Sequence, residues 1–279
     1  MSNTNPELLW HYTDANGLFG IINSNRLRFT DARFLNDRTE RVYGATLLAE
    51  ALKDEAQSGD PLGLIRGIQL MQESYMLPSR QFVCSMSGTN ESISQWQRYA
   101  AGGNGYSLGF KVSELDRILG EHAVRYQMQY DSAKQRQSLA KLIKLEHDRF
   151  KNGTVPGAEA HYVDVAWSGG VLEHAVLEMK HPLFSEEQEW RYVVNIDPDA
   201  YQLERLSETC CVRDYYIKSY VELPLSKASA DPQRLPITHI VCGPKLDPQL
   251  AITTVTHFLN LSGYSSVTVV QSELAAVWR

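Results

Sequence analysis

Cysteine is scarce in this chain and carries no redox or metal signature. Of the four cysteines, Cys84, Cys210, Cys211 and Cys242, no two stand in CxxC spacing. Adjacent Cys210 and Cys211 would point to opposite faces of a strand. The set reads as reduced, mostly buried thiols, the usual state of cysteine inside a cell. The eight histidines are scattered, without an HxxxH or HExxH pair, so no metal site is expected. Long apolar runs are also missing: none approaches the ~20 residues needed to span a bilayer. The opening MSNTNPELLWHYT has neither the basic start nor the apolar stretch of a signal peptide. A cytoplasmic protein without a membrane partner is the expectation. Excess positive charge is lacking as well. A net charge of −6 argues against sequence-blind nucleic-acid binding over the whole surface. Arg26, Arg28, Arg33, Arg38 and Arg41 do crowd one early segment, where Asp31, Asp37 and Glu40 partly offset them.

What remains is a chain able to build a core. Hydrophobic residues make up 43% of 279, enough for one large domain, here taken as 1–279, or for two small ones. LLWHYT, LRFT, QFVCSMS, YSLGFK and AVRYQMQY read as strands. So do EQEWRYVVNI, CVRDYYIKSYVEL, ITHIVCGPK and SVTVVQS. Between them, DANGLFGIINSN has helical spacing, with Asp14 as N-cap and Leu18, Ile21 and Ile22 on one face. Helical spacing also covers 38–57, 61–77, the ESISQWQRYAA stretch, 131–151, 158–180 and a segment opening at Asp247 or Pro248. Strands and helices mix without regular βαβ alternation, which predicts an α+β fold. Its sheets should be mixed and mostly antiparallel, with helical insertions at about 38–78 and 131–180.

Several segments carry candidate chemistry. In HPLFSEEQEWRYVV a strand would place Glu187, Glu189 and Arg191 on one face, the two carboxylates ~7 Å apart. Such a set is either a salt-bridged surface or a catalytic pair with a helper. His11, Tyr12 and Thr13 end the first strand, and Ser85 and Ser87 share a face at the end of another. Trp96 and Tyr99, three apart on a helix, are core residues or a stacking platform. The glycines of AGGNGYSLGF lead into a strand, so a phosphate loop at a helix start is excluded. Asp37 with Glu40 is too small an acidic set for a metal hydrolase.

Taken in order, HYT, LND followed by Glu40, FVCSMS, W-x-x-YA, LGF, E-x-EWR and IVCGPK resemble a bacterial family of domains of unknown function, from Leu9 to the C-terminus. That family in turn resembles the ADP-ribosyltransferase superfamily, especially its diphtheria-toxin and poly(ADP-ribose) polymerase branch. The resemblance implies a split-sheet core and NAD as substrate, with no metal. It also implies a protein or nucleic-acid acceptor, and a role as a toxin or phage-defence effector with a cognate antitoxin or inhibitor. Carried over by position, His11 would hold an NAD ribose hydroxyl, supported by Tyr12 and Thr13. Ser85 and Ser87 would brace the cleft, and Tyr99 with Trp96 would stack on nicotinamide. Glu189 would be the catalytic carboxylate with Glu187 assisting, while Arg191 would meet a phosphate or order the acids. Asn36, Asp37 and Glu40 match the family pattern without an assigned role. Two other readings stay open: a non-catalytic nucleotide- or protein-binding module, and an NAD glycohydrolase.

Overall fold

Apolar alternation along short strands sets the architecture. The computed structural model describes residues 6–34, 38–57, 59, 68, 80–152, 168–172, 174–196, 208–213, 216–223 and 234–276. The first half runs β1 (Leu8–Thr13), α1 (Ala15–Ser24), β2 (Leu27–Asp31), α2 (Arg38–Gln57), β3 (Arg80–Ser87), α3 (Ile93–Tyr99), β4 (Tyr106–Lys111) and α4 (Val112–Leu119). Then come β5 (Val124–Gln127), α5 (Ser132–Asn152), a 3-10 helix (Pro182–Glu187), β6 (Glu189–Ile196), β7 (Thr209–Arg213) and β8 (Tyr216–Leu223). The last elements are β9 (Ile237–Cys242), α6 (Pro248–Leu261) and β10 (Thr268–Gln271).

Among the described residues ten strands form one sheet in the order β10-β9-β4-β1-β3-β2-β8-β7, with β6 on the other edge of β3 and β5 beyond it. Among the described strands only β9 and β10 pair in parallel. The fold is therefore α+β with a mixed, largely antiparallel sheet. β3 is the junction. One edge pairs with β6 from Arg80↔Ile196 to Ser87↔Glu189. The other edge is shared, with Phe82 and Val83 taken by β2 and Ser87 by Trp10 of β1. The sheet forks between those contacts.

One face packs Leu9, Phe29, Cys84, Met86, Leu108 and Tyr192 against α1, α4 and α6. Burying a large apolar side chain stabilises by ~1.5–3 kcal/mol, so this layer dominates the fold. Leu18, Ile21 and Ile22 are the buried residues of α1, and the Asp14 side chain caps it by accepting from Gly17 N–H, as their spacing predicts. On the opposite face Trp10 and Tyr12 pack with Trp96, Ala100 and Val241. A third cluster joins Leu47, Leu48 and Leu52 of α2 to Leu139 and Ile143 of α5.

Three expectations change. CVRDYYIKSYVEL is not one strand but the hairpin β7–β8, with Val212 opposite Ile217. No Gly or Pro marks that reversal, so the β-forming residues on both sides read as continuous. α4 is not among the expected elements, because eight residues expose only a single apolar stripe of Val112, Leu115 and Leu119. All four cysteines are free, but Cys210 is exposed and Cys211 half-buried, on the edge strand β7. Most of the 61–77 helix, residues 158–167, Asn36 and Asp37 lie outside the described residues, as does the side chain of Glu40.

Two loops meet without side chains between them. Gly243 N–H donates to Gly105 O and Lys245 N–H to Gly103 O. A Cβ on Gly243 would lie 2.4 Å from Gly103 O and 2.7 Å from Gly105 O. Gly243→Ala should therefore cost about 1–3 kcal/mol by overpacking against backbone. Gly20, inside α1, has nothing within 4 Å of its Cβ position. Gly20→Ala should stabilise by about 0.5–1 kcal/mol through helix propensity. Urea midpoints of the two variants should move in opposite directions.

Candidate functional site

Burying charge is costly unless it is paired, so chemistry is best sought where charge is buried. Lys180, Glu187, Glu189 and Arg191 are all buried, none more than 3% exposed. They meet where the 3-10 helix runs into β6. Glu187 is not on the strand, contrary to the sequence expectation: it is the last residue of the 3-10 helix. Gln188 follows in the left-handed region (φ 43°, ψ 46°), and β6 starts at Glu189. That turn swings Glu187 off the strand axis, so both carboxylates reach one ammonium.

Lys180 Nζ donates to Glu187 Oε2 at 2.5 Å and to Glu189 Oε2 at 2.6 Å. Arg191 donates through Nε to Glu189 Oε1 at 2.7 Å and through Nη2 to Oε2 at 3.1 Å. Arg98, on α3, donates through Nη1 to Glu187 Oε1 at 3.1 Å. Every carboxylate oxygen of the pair thus accepts from a cation. The backbone is tied in too. Ser87 Oγ donates to Glu187 O at 2.7 Å, and Glu189 N–H donates to the Tyr130 hydroxyl at 2.8 Å. Burial alone would raise the Glu189 pKa, but Arg191 and Lys180 beside it outweigh that and hold it down at about 2. Glu189 is a fixed negative charge in a dry place.

The β3–β6 register sets Ser87 opposite Glu189 and Ser85 opposite Arg191, so these four side chains share one face. Trp10 joins them through its pairing with Ser87. By the same alternation His11 and Thr13 project to the other face, with Leu9 and Leu108. The expected convergence of His11 with the acids is not what the register gives. His11 Nδ1 instead lies 3.0 Å from the Ser85 carbonyl, at the fork of the sheet. Thr13 Oγ1 fills the space beside Gly17 in the first turn of α1, where a Cβ would sit 1.8 Å away.

The aromatics also differ from expectation. Trp96 is fully buried and edge-on to Tyr12 (4.9 Å, 82°), so it is core and not an open stacking platform. Tyr99 is half-buried against the same cluster. Tyr12 is a fastener: its hydroxyl donates to Thr89 O at 3.0 Å and accepts from Ser92 N–H at 3.2 Å. Burial pushes its pKa upward. Ser92 in turn caps α3, which carries Trp96 and Arg98 onto this face.

Sequence reasoning missed Lys180, Arg98 and Tyr130. Lys180 lies in LEMKHPLF, which has no motif. The available signal was indirect and partial: two acids beside an apolar strand need cations, and Lys180 is near them in sequence, whereas Arg98 is 89 residues from Glu187. Among the described residues, no three His, Cys, Asp or Glu side chains gather as metal ligands. No helix among them is long and apolar enough to cross a membrane.

Residues 95–192 match a family described as a protein of unknown function, DUF2971. The match contains Arg98, Lys180, Glu187, Glu189 and Arg191, and it leaves His11, Ser85 and Ser87 outside. No curated protein matches the chain, and no solved structure does.

Removing one partner of a buried pair strands the other. Lys180→Met should destabilise by about 3–5 kcal/mol in urea unfolding. The double variant Lys180→Met/Glu187→Leu should cost less than the two single costs added; strict additivity would show that the groups do not act together. Since the folded pKa of Glu189 lies below the unfolded value of about 4.3, its contribution is complete above about pH 5 and lost as pH falls towards 2. Glu189→Gln should flatten the dependence of the urea midpoint on pH across that window.

Proposed function

We propose that the chain is an NAD-consuming ADP-ribosyltransferase whose reacting carboxylate is Glu189. One observation carries the reading: Ser85-x-Ser87 of β3 and Glu189-x-Arg191 of β6 lie side by side in register, and Glu189 is buried and held ionised at their common end by Arg191 and Lys180. Cleavage of the nicotinamide–ribose bond develops positive charge on the sugar. The electron pair of the breaking C–N bond leaves with the nicotinamide nitrogen, whose own positive charge it cancels, so no general acid is needed. A fixed anion beside that carbon lowers the barrier by several kcal/mol, roughly 3–4 for one well-placed group. The acceptor nucleophile then bonds to the ribose carbon and passes its proton to a carboxylate. At rest Lys180 and Arg191 occupy the oxygens of Glu189. Substrate must displace Lys180, so a cationic nicotinamide–ribosyl group would exchange with an ammonium at nearly constant local charge. His11 has no part in this version. An antiviral or toxin role and a macromolecular acceptor go with the reading.

The sealed state of the acids favours a second reading, a non-catalytic nucleotide- or protein-binding module in which the cluster is a structural clasp. Nicotinamide release from NAD by the purified chain separates the two. Under the first reading wild type turns over, Glu189→Gln loses on the order of 100-fold or more, and Glu187→Gln loses less, with both variants folded by circular dichroism. NAD bound without turnover supports the module. Neither binding nor turnover removes NAD from both readings.

A further inference from the structure

Of the charged groups in the cluster, Arg98 is the one that reaches solvent. Its side chain is 43% exposed, whereas that of Glu187 beside it is 1% exposed. A guanidinium has five N–H donors in a planar fork. At Arg98 one of them goes to Glu187 Oε1, and one face of the plane lies over the Phe184 ring with Cζ 4.8 Å from its centroid. Lys180 Nζ stands 5.5 Å from the same centroid, so two cations share that ring. The carboxylate and the ring restrain the guanidinium, and its other donors belong to a side chain that is 43% exposed. Ordering a long side chain is a main cost of binding an anion with arginine, and here the fold has already met it. Helix α3 presents Arg98, and the 3-10 helix supplies both Phe184 and Glu187.

We infer that Arg98 is the contact for a phosphate group of a nucleotide ligand, docked at the seam between α3 and the 3-10 helix. A phosphate oxygen pair matches the guanidinium fork in shape and charge, giving two charge-assisted hydrogen bonds. The inference rests on the nucleotide reading above and deepens it. It places the diphosphate of the substrate at Arg98 and the scissile bond further in, towards Glu187 and Glu189, with Arg98 bridging the two by holding an acid on one edge and a phosphate on the other. Arg98 is a binding residue in this scheme and takes no proton.

Inorganic pyrophosphate tests it without any demand for turnover. Calorimetric titration of the full chain should show binding that weakens roughly tenfold or more in Arg98→Gln, a difference of about 1.4 kcal/mol. Arg98→Lys, which keeps the charge but not the fork, should fall between. Lys111→Gln, at an exposed cation paired with Glu114 away from the cluster, should bind as wild type does. Equal weakening in the Lys111 and Arg98 variants would reduce the effect to general charge and overturn the assignment, as would unchanged binding in Arg98→Gln. Should Arg98→Gln not fold, the side-chain Nε–H resonance of Arg98 in 15N-arginine wild type decides: a shift saturating with pyrophosphate supports the site, and an unmoved resonance removes it. Pyrophosphate binding together with absent nicotinamide release would keep this site and sink the transferase, so the two failures are distinguishable.

Discussion

One buried ammonium organises the centre of this molecule. Lys180 stands between two carboxylates that would otherwise repel each other with little water to screen them, and it joins residues on either side of a sharp turn. The left-handed backbone at Gln188 fits that demand. A non-glycine residue in this region is unfavourable by ~1–2 kcal/mol, and its surroundings must hold it there. Ion pairs on both flanks and the Ser87 hydroxyl on the Glu187 carbonyl supply the hold. The start of β6, and with it the pairing of the longest ladder in the sheet, is fixed by charge as much as by apolar packing.

Much of the fold was legible because its elements are amphipathic in the ordinary way. α1 is marked by Asp14 and the Leu18, Ile21, Ile22 stripe, and β3 by Phe82, Cys84 and Met86 alternating with Ser85 and Ser87. β7 and β8 read as one strand because Asp214 is the one turn-favouring residue between them, a weak sign without glycine or proline beside it. The site was half legible. Spacing correctly singled out Glu187, Glu189 and Arg191 as a unit, but it assumed an unbroken strand, and nothing in EEQEW announces the turn. Lys180 and Arg98 belong to elements brought in by tertiary contact, from 7 and 89 residues away from Glu187, and no periodicity reports such meetings.

His11 shows the opposite lesson. A histidine near a strand end invites a functional reading, yet one residue along a strand is the difference between two faces. Trp10 and Tyr12 point towards α3, and the face between them belongs to the core of Leu9 and Leu108. The imidazole finds the Ser85 carbonyl where the sheet divides. That contact ties a side chain of β1 to the backbone of β3.

The fork at β3 has a mechanical consequence. One leaf of the sheet runs from β1 through β4 and β9 to β10, and the other from β2 through β8 to β7, with β3 as the strand that both leaves pair with. Shear between the leaves is therefore transmitted along the ladder into a single backbone segment, Val83 to Ser87, beside which the paired acids lie.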